Sequence, residues 1–175
     1  MGNRITRISL FIGIVSAISW LGAVNIRAII GNEILEWRTL SLRPGLDPTF
    51  EREIFRLVNY SSLVVIPGYL LTFISAVLFF STTTLSYKEN GWLMMGAIIF
   101  FMFSPAEFYT LYLDGKMLTL ELFSRPELGE LETLFIRRLG ALAGVPLIAL
   151  CCYYTIIALA IWRPLKKSGQ PGISH

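Results

Sequence analysis

The sequence predicts an all-α protein: a four-helix transmembrane bundle with amphipathic outer connections. The first observation behind this is where charge is missing. Ile8–Ile26, Leu57–Tyr87 and Leu139–Trp162 contain no Asp, Glu, Lys or Arg, and Asn90–Leu113 contains Glu107 alone. The second is length, since each stretch approaches or exceeds the roughly 20 apolar residues that cross about 30 Å of hydrocarbon. The third is composition. The chain is 54% hydrophobic and 15% charged, where a soluble domain carries about 25% charged residues, and its mean hydropathy is +0.63. In lipid such stretches are helical, because a helix satisfies its backbone hydrogen bonds within itself.

The first helix is expected over residues 6–30. Arg4 and Arg7 precede an apolar core, as in a secretory signal, but the core is too long and no A-x-A-like site ends it, so the segment reads as retained. "MGNRIT" fits the myristoylation pattern, although one acyl chain would add little to four spans. Ser19, Gly22 and Ala23 form a small-residue strip suited to close helix packing. In the connection that follows, Ile34, Leu35, Trp37 and Leu40 alternate with Glu33, Glu36 and Arg38, which suggests a short amphipathic helix at the interface. Arg43-Pro44-Gly45 and Asp47-Pro48 are turn signals, after which Thr49 could cap a new helix.

The second helix is expected over residues 50–82, kinked at Pro67-Gly68, and a short polar turn follows it. The third spans 91–114, with Pro105 bending it near its far end. A connection broken at Arg125-Pro126 leads to a fourth helix over 130–163, with Pro146 inside. Residues 164–175 are basic, then Gly/Pro-rich, and read as a flexible tail. No internal repeat is evident, so the chain forms one integral membrane domain, residues 1–175.

Four spans place both termini on one side. That side carries Arg4, Arg7, Lys88, Arg163, Lys166 and Lys167 against Glu89 alone, whereas the basic residues of the opposite side are interleaved with acids. Both termini are therefore expected in the cytoplasm, in a bacterial inner membrane. This topology brings Arg27, Arg56, Asn59, Glu107, Arg137 and Arg138 to the outer leaflet or its interface, with Glu107 roughly 22 Å along its helix from Trp92. Intramembrane ionisable groups are costly unless paired or wetted, so Glu107 is expected to partner Arg27 or Arg138. The cluster reads as a clamp tying helix ends together, or as a site for a lipid head group or small anion.

No catalytic, cofactor-binding or metal-binding set is expected. The single histidine is His175, which excludes haem b ligation, His-based zinc sites and a Ser-His-Asp triad. Cys151 and Cys152 are adjacent on one helix and point about 100° apart. Tyr109, Tyr112, Tyr153 and Tyr154 read as aromatic belt and packing, and the acids of Glu51–Glu53 and Glu127–Glu132 as salt-bridged caps.

"SWLGAVN" in the first helix, "FEREIFRLVN" leading into a Pro-bearing second helix, and "RRLGALAGVPLIALCCYYTIIALAIWRP" at the end give a layout that resembles bacterial four-helix integral membrane proteins without an assigned reaction. The resemblance covers most of the chain and implies a fold, with no catalytic residue to carry over. The functional expectation is a non-enzymatic structural or accessory subunit packing against another membrane protein. The alternative is a small-molecule or lipid-handling protein using the Arg/Glu cluster. The expected partners are the lipid bilayer and a membrane protein or a second copy, with no nucleic acid and no cofactor.

Overall fold

The computed structural model describes residues 4–36, 41–124, 126–140 and 144–165. Their regular structure is helical apart from one isolated antiparallel bridge between Leu35 and Leu42. The helices are α1 (Arg4–Asn32), α2 (Pro48–Thr82), α3 (Gly91–Phe123), α4 (Leu128–Leu139) and α5 (Val145–Trp162). Four of them, α1, α2, α3 and α5, are long and apolar enough to cross a membrane.

Local chemistry sets the boundaries. Asp47, not Thr49, caps α2: its side chain accepts from the Phe50 amide, Pro48 opens the helix and Glu51 sits in the first turn. Pro67 and Pro105 both lie inside helices that continue through them. α3 runs on past Asp114 to Phe123. The expected single last helix is two helices, because Gly144 takes a left-handed φ of 87° and Pro146 starts a fresh first turn. The amphipathic helix expected after α1 does not form over its described part. Glu33 and Ile34 turn, and Leu35 enters the bridge, where the Glu36 amide donates to the Ser41 carbonyl at 2.9 Å. Ile34 is fully buried here, so its apolar side chain is satisfied by a hairpin against the core. Trp37 to Leu40 and the tail from residue 166 lie outside the described residues.

α1 and α2 pack closely and antiparallel in one register. The Thr6 hydroxyl reaches the Thr82 carbonyl at 3.0 Å, and the Ser16 and Thr72 hydroxyls meet at 3.0 Å. A Cβ at Gly13 would lie 3.2 Å from the Ser75 Cβ, and one at Gly68 would lie 3.0 Å from the Trp20 Cβ. Of the strip expected at Ser19, Gly22 and Ala23, Ser19 and Gly22 face outward, with nothing within 4 Å of a Cβ at Gly22, while Ala23 packs against the aromatic core. α3 packs on α2 and α5, and α1 meets α5 through Trp20–Tyr153, with ring centroids 5.0 Å apart, and an Asn25 Nδ2 donor to the Tyr154 hydroxyl at 2.5 Å.

Two cores result. The first, within the spans, is largely aromatic: Trp20, Tyr69, Phe100 and Tyr153 with Val65, Leu111 and Ala149. The second joins Ile34, Ile54, Phe55, Val58, Met117, Leu131 and Phe135. It binds α4 and the 33–46 connection to one end of the bundle as a cap.

Candidate functional site

α3 turns one face inward at helical spacing: Phe100, Ser104, Glu107, Leu111, Asp114 and Met117, all buried except the half-buried Glu107. This repeat puts two carboxylates in line with the junction between the two cores. Asp114 is the centre of the arrangement. Its Oδ2 accepts from Arg27 Nη1 at 2.6 Å and its Oδ1 accepts from Arg138 Nε at 2.6 Å. Arg27 also donates through Nη2 to the Val58 carbonyl at 3.3 Å and to the Ser62 hydroxyl. One carboxylate and two guanidiniums thereby bind α1, α2, α3 and α4 at a single point.

The centre is dry. The side chains of Arg27, Asp114 and Arg138 are 4%, 1% and 17% exposed, so only Arg138 reaches the edge. Charge-assisted bonds to both carboxylate oxygens offset the desolvation of the ions, and removing one partner would strand the others. Two cations against one anion leave an excess positive charge, and Glu107, two turns from Asp114, lies within electrostatic reach of Arg138 and Asp114. It forms no ion pair there.

Glu107 adjoins the aromatic core instead. The Tyr153 hydroxyl is close enough to interact with its carboxylate, without the geometry of a formed hydrogen bond. Among the described residues the Tyr69 hydroxyl and the Trp20 indole N–H are likewise buried without a hydrogen-bond partner, and their ring centroids lie 4.8 Å apart. The Asn59 amide is fully buried with neither polar atom bonded, next in sequence to the carbonyl that receives Arg27. The three donors belong to the aromatic core, whereas Asn59 shares a turn of α2 with Val58 and Ser62, the partners of Arg27.

Of the residues expected to cluster, Arg27 and Arg138 come together, joined by Asp114, with Glu107 nearby and Asn59 buried on α2. Arg56 stands apart. It is exposed, pairs with Glu53 at 3.3 Å and lies over the Tyr60 ring. Arg137 is exposed beside Arg138. Sequence reasoning missed Asp114 and Ser62; the period of α3 carried a signal for Asp114, at Glu107 plus seven. Among the described residues, no three His, Cys, Asp or Glu side chains gather as metal ligands. No family model, curated protein or solved structure matches the chain.

Proposed function

We propose that this chain is a non-enzymatic structural or accessory subunit of a membrane assembly, in a bacterial inner membrane with both termini cytoplasmic. The observation that carries the reading is the Arg27–Asp114–Arg138 centre, in which the two most buried ion-paired side chains, Arg27 and Asp114, engage each other and Arg138. A clamp of this kind fixes the cap on the spans. Substrate handling would need such groups open to a ligand. The spans leave much apolar surface outside: only 17% of the most apolar window of α1 and 11% of that of α5 is buried. Lipid covers most of such surface, and a neighbouring membrane protein fits the rest.

Purification in native nanodiscs followed by native mass spectrometry tests this. The expected result is the 19.7 kDa chain in stoichiometric complex with another membrane protein. Recovery without any protein partner overturns it. A second reading, a small-molecule or lipid-handling protein, is favoured by one observation: the half-buried Glu107 adjoins the Tyr153 hydroxyl, which is buried without a hydrogen-bond partner among the described residues.

A further inference from the structure

A groove of about 740 Å³ opens between the far end of α3 and α4, lined among others by Tyr112, Gly115, Lys116, Glu130, Thr133 and Leu134. It lies beside the ion centre, not within it. Lys116 and Glu130 make no ion pair, with each other or with any described residue. The Lys116 ammonium lies over the Tyr112 ring, 5.7 Å from its centroid. That contact places the charge on the groove wall and leaves its hydrogens free for an anion. At Gly115 a Cβ would meet nothing within 4 Å, so the glycine widens the groove floor.

The charges have an order along α3 and α4. The Asp114–Arg138 bond sets a common level for α3 and α4. Lys116 lies half a turn beyond Asp114, while Glu130 lies two turns before Arg138 on the returning helix, which puts the carboxylate farther from the bilayer than the ammonium. Below Lys116 the same row of α3 continues through Tyr112 to Phe108, both exposed and aromatic. From the bilayer outward the sequence is therefore apolar, aromatic, cationic, anionic. A phospholipid with an amine-bearing head group presents acyl chain, ester region, phosphate and ammonium in that order.

We propose that this groove binds one phospholipid with a zwitterionic, amine-bearing head group, its phosphate on Lys116 and its ammonium on Glu130. The unsaturated pair of opposite charges selects it over an anionic lipid, whose head group offers Glu130 no cation. The proposal rests on the cap lying at a bilayer surface and is independent of whether a protein partner exists.

The test is native mass spectrometry of the full chain titrated with phosphatidylethanolamine or phosphatidylglycerol of identical acyl chains. The wild type is expected to bind phosphatidylethanolamine about fivefold more tightly, the scale of an exposed ion pair. Glu130→Gln should abolish that preference, and Lys116→Gln should weaken both lipids. Lys88→Gln, at an exposed position at the opposite end of the bundle, should change neither. Circular dichroism of each variant checks that the helices are intact. Equal binding of the two lipids by the wild type overturns the proposal, as does an undiminished preference in Glu130→Gln, or a polypeptide that excludes lipid from the groove.

Discussion

Asp114 is the shared acceptor of the ion centre, because two guanidiniums depend on it. Asp114→Asn keeps the shape and removes the charge, leaving Arg27 and Arg138 to repel each other in a dry site. The expected loss is about 3–5 kcal/mol, the usual cost of breaking a buried ion pair from one side, read as a large drop in thermal midpoint in a fixed detergent. Glu107→Gln is expected to cost under about 1 kcal/mol, since Glu107 holds neither arginine at ion-pair distance. The reverse order of effects would show that Glu107, not Asp114, anchors the cluster. Arg27→Gln should cost more than Arg138→Gln, because the Arg138 side chain keeps 17% of its surface in contact with solvent and that of Arg27 only 4%. In the sequence Asp114 looks like the close of a helix, followed at once by Gly115-Lys116. Its role becomes visible only when α3 is continued in register past that glycine.

At the scale of elements, the α1–α2 pair depends on backbone approach. Gly68→Ala would place a Cβ 3.0 Å from the Trp20 Cβ and 3.3 Å from its Cα. Backbone cannot rotate aside as a side chain can, so α1 must move off α2. The strain, about 1–3 kcal/mol, exceeds the roughly 1 kcal/mol that alanine gains over glycine in a helix, and the variant should unfold earlier. Gly22→Ala meets nothing within 4 Å and is expected to be neutral or slightly stabilising. Unfolding of the two variants in SDS titrations checks the pair, and a seam running through Gly22 would invert the result. Both glycines sit among apolar residues at similar spacing, so the sequence offered no means to choose between them; packing did. The four spans were legible because lipid allows few alternatives to a charge-free helix. The cap was less so. Its bridge between Leu35 and Leu42 and its short α4 depend on Ile34, Leu131 and Phe135 finding one another, contacts that no local pattern contains. The break before α5 had a local signature, Gly140 and Gly144 ahead of Pro146, which a single long apolar run conceals.

For the whole molecule, the four helices among the described residues that are long and apolar enough to cross a membrane separate two chemical faces. Arg4, Lys88 and Arg163 belong to the end where α1 begins, α2 gives way to α3, and α5 finishes, while Arg43 and Glu127 belong to the cap. The clamp lies at the cap end, where its arginines tie α1 and α4 to Asp114 of α3. Single cysteines at Lys88 and Arg43, introduced into a chain with Cys151 and Cys152 replaced by Ala, should react with a membrane-impermeant maleimide from opposite sides of sealed vesicles. In the unaltered chain, Cys151 and Cys152 lie midway along α5 and should resist the same reagent until detergent is added, although Cys151 is exposed on the helix surface, because thiolates do not form in hydrocarbon. Labelling of both new cysteines from one side would remove a span from the count. It would also put the cap and the chain ends on the same face.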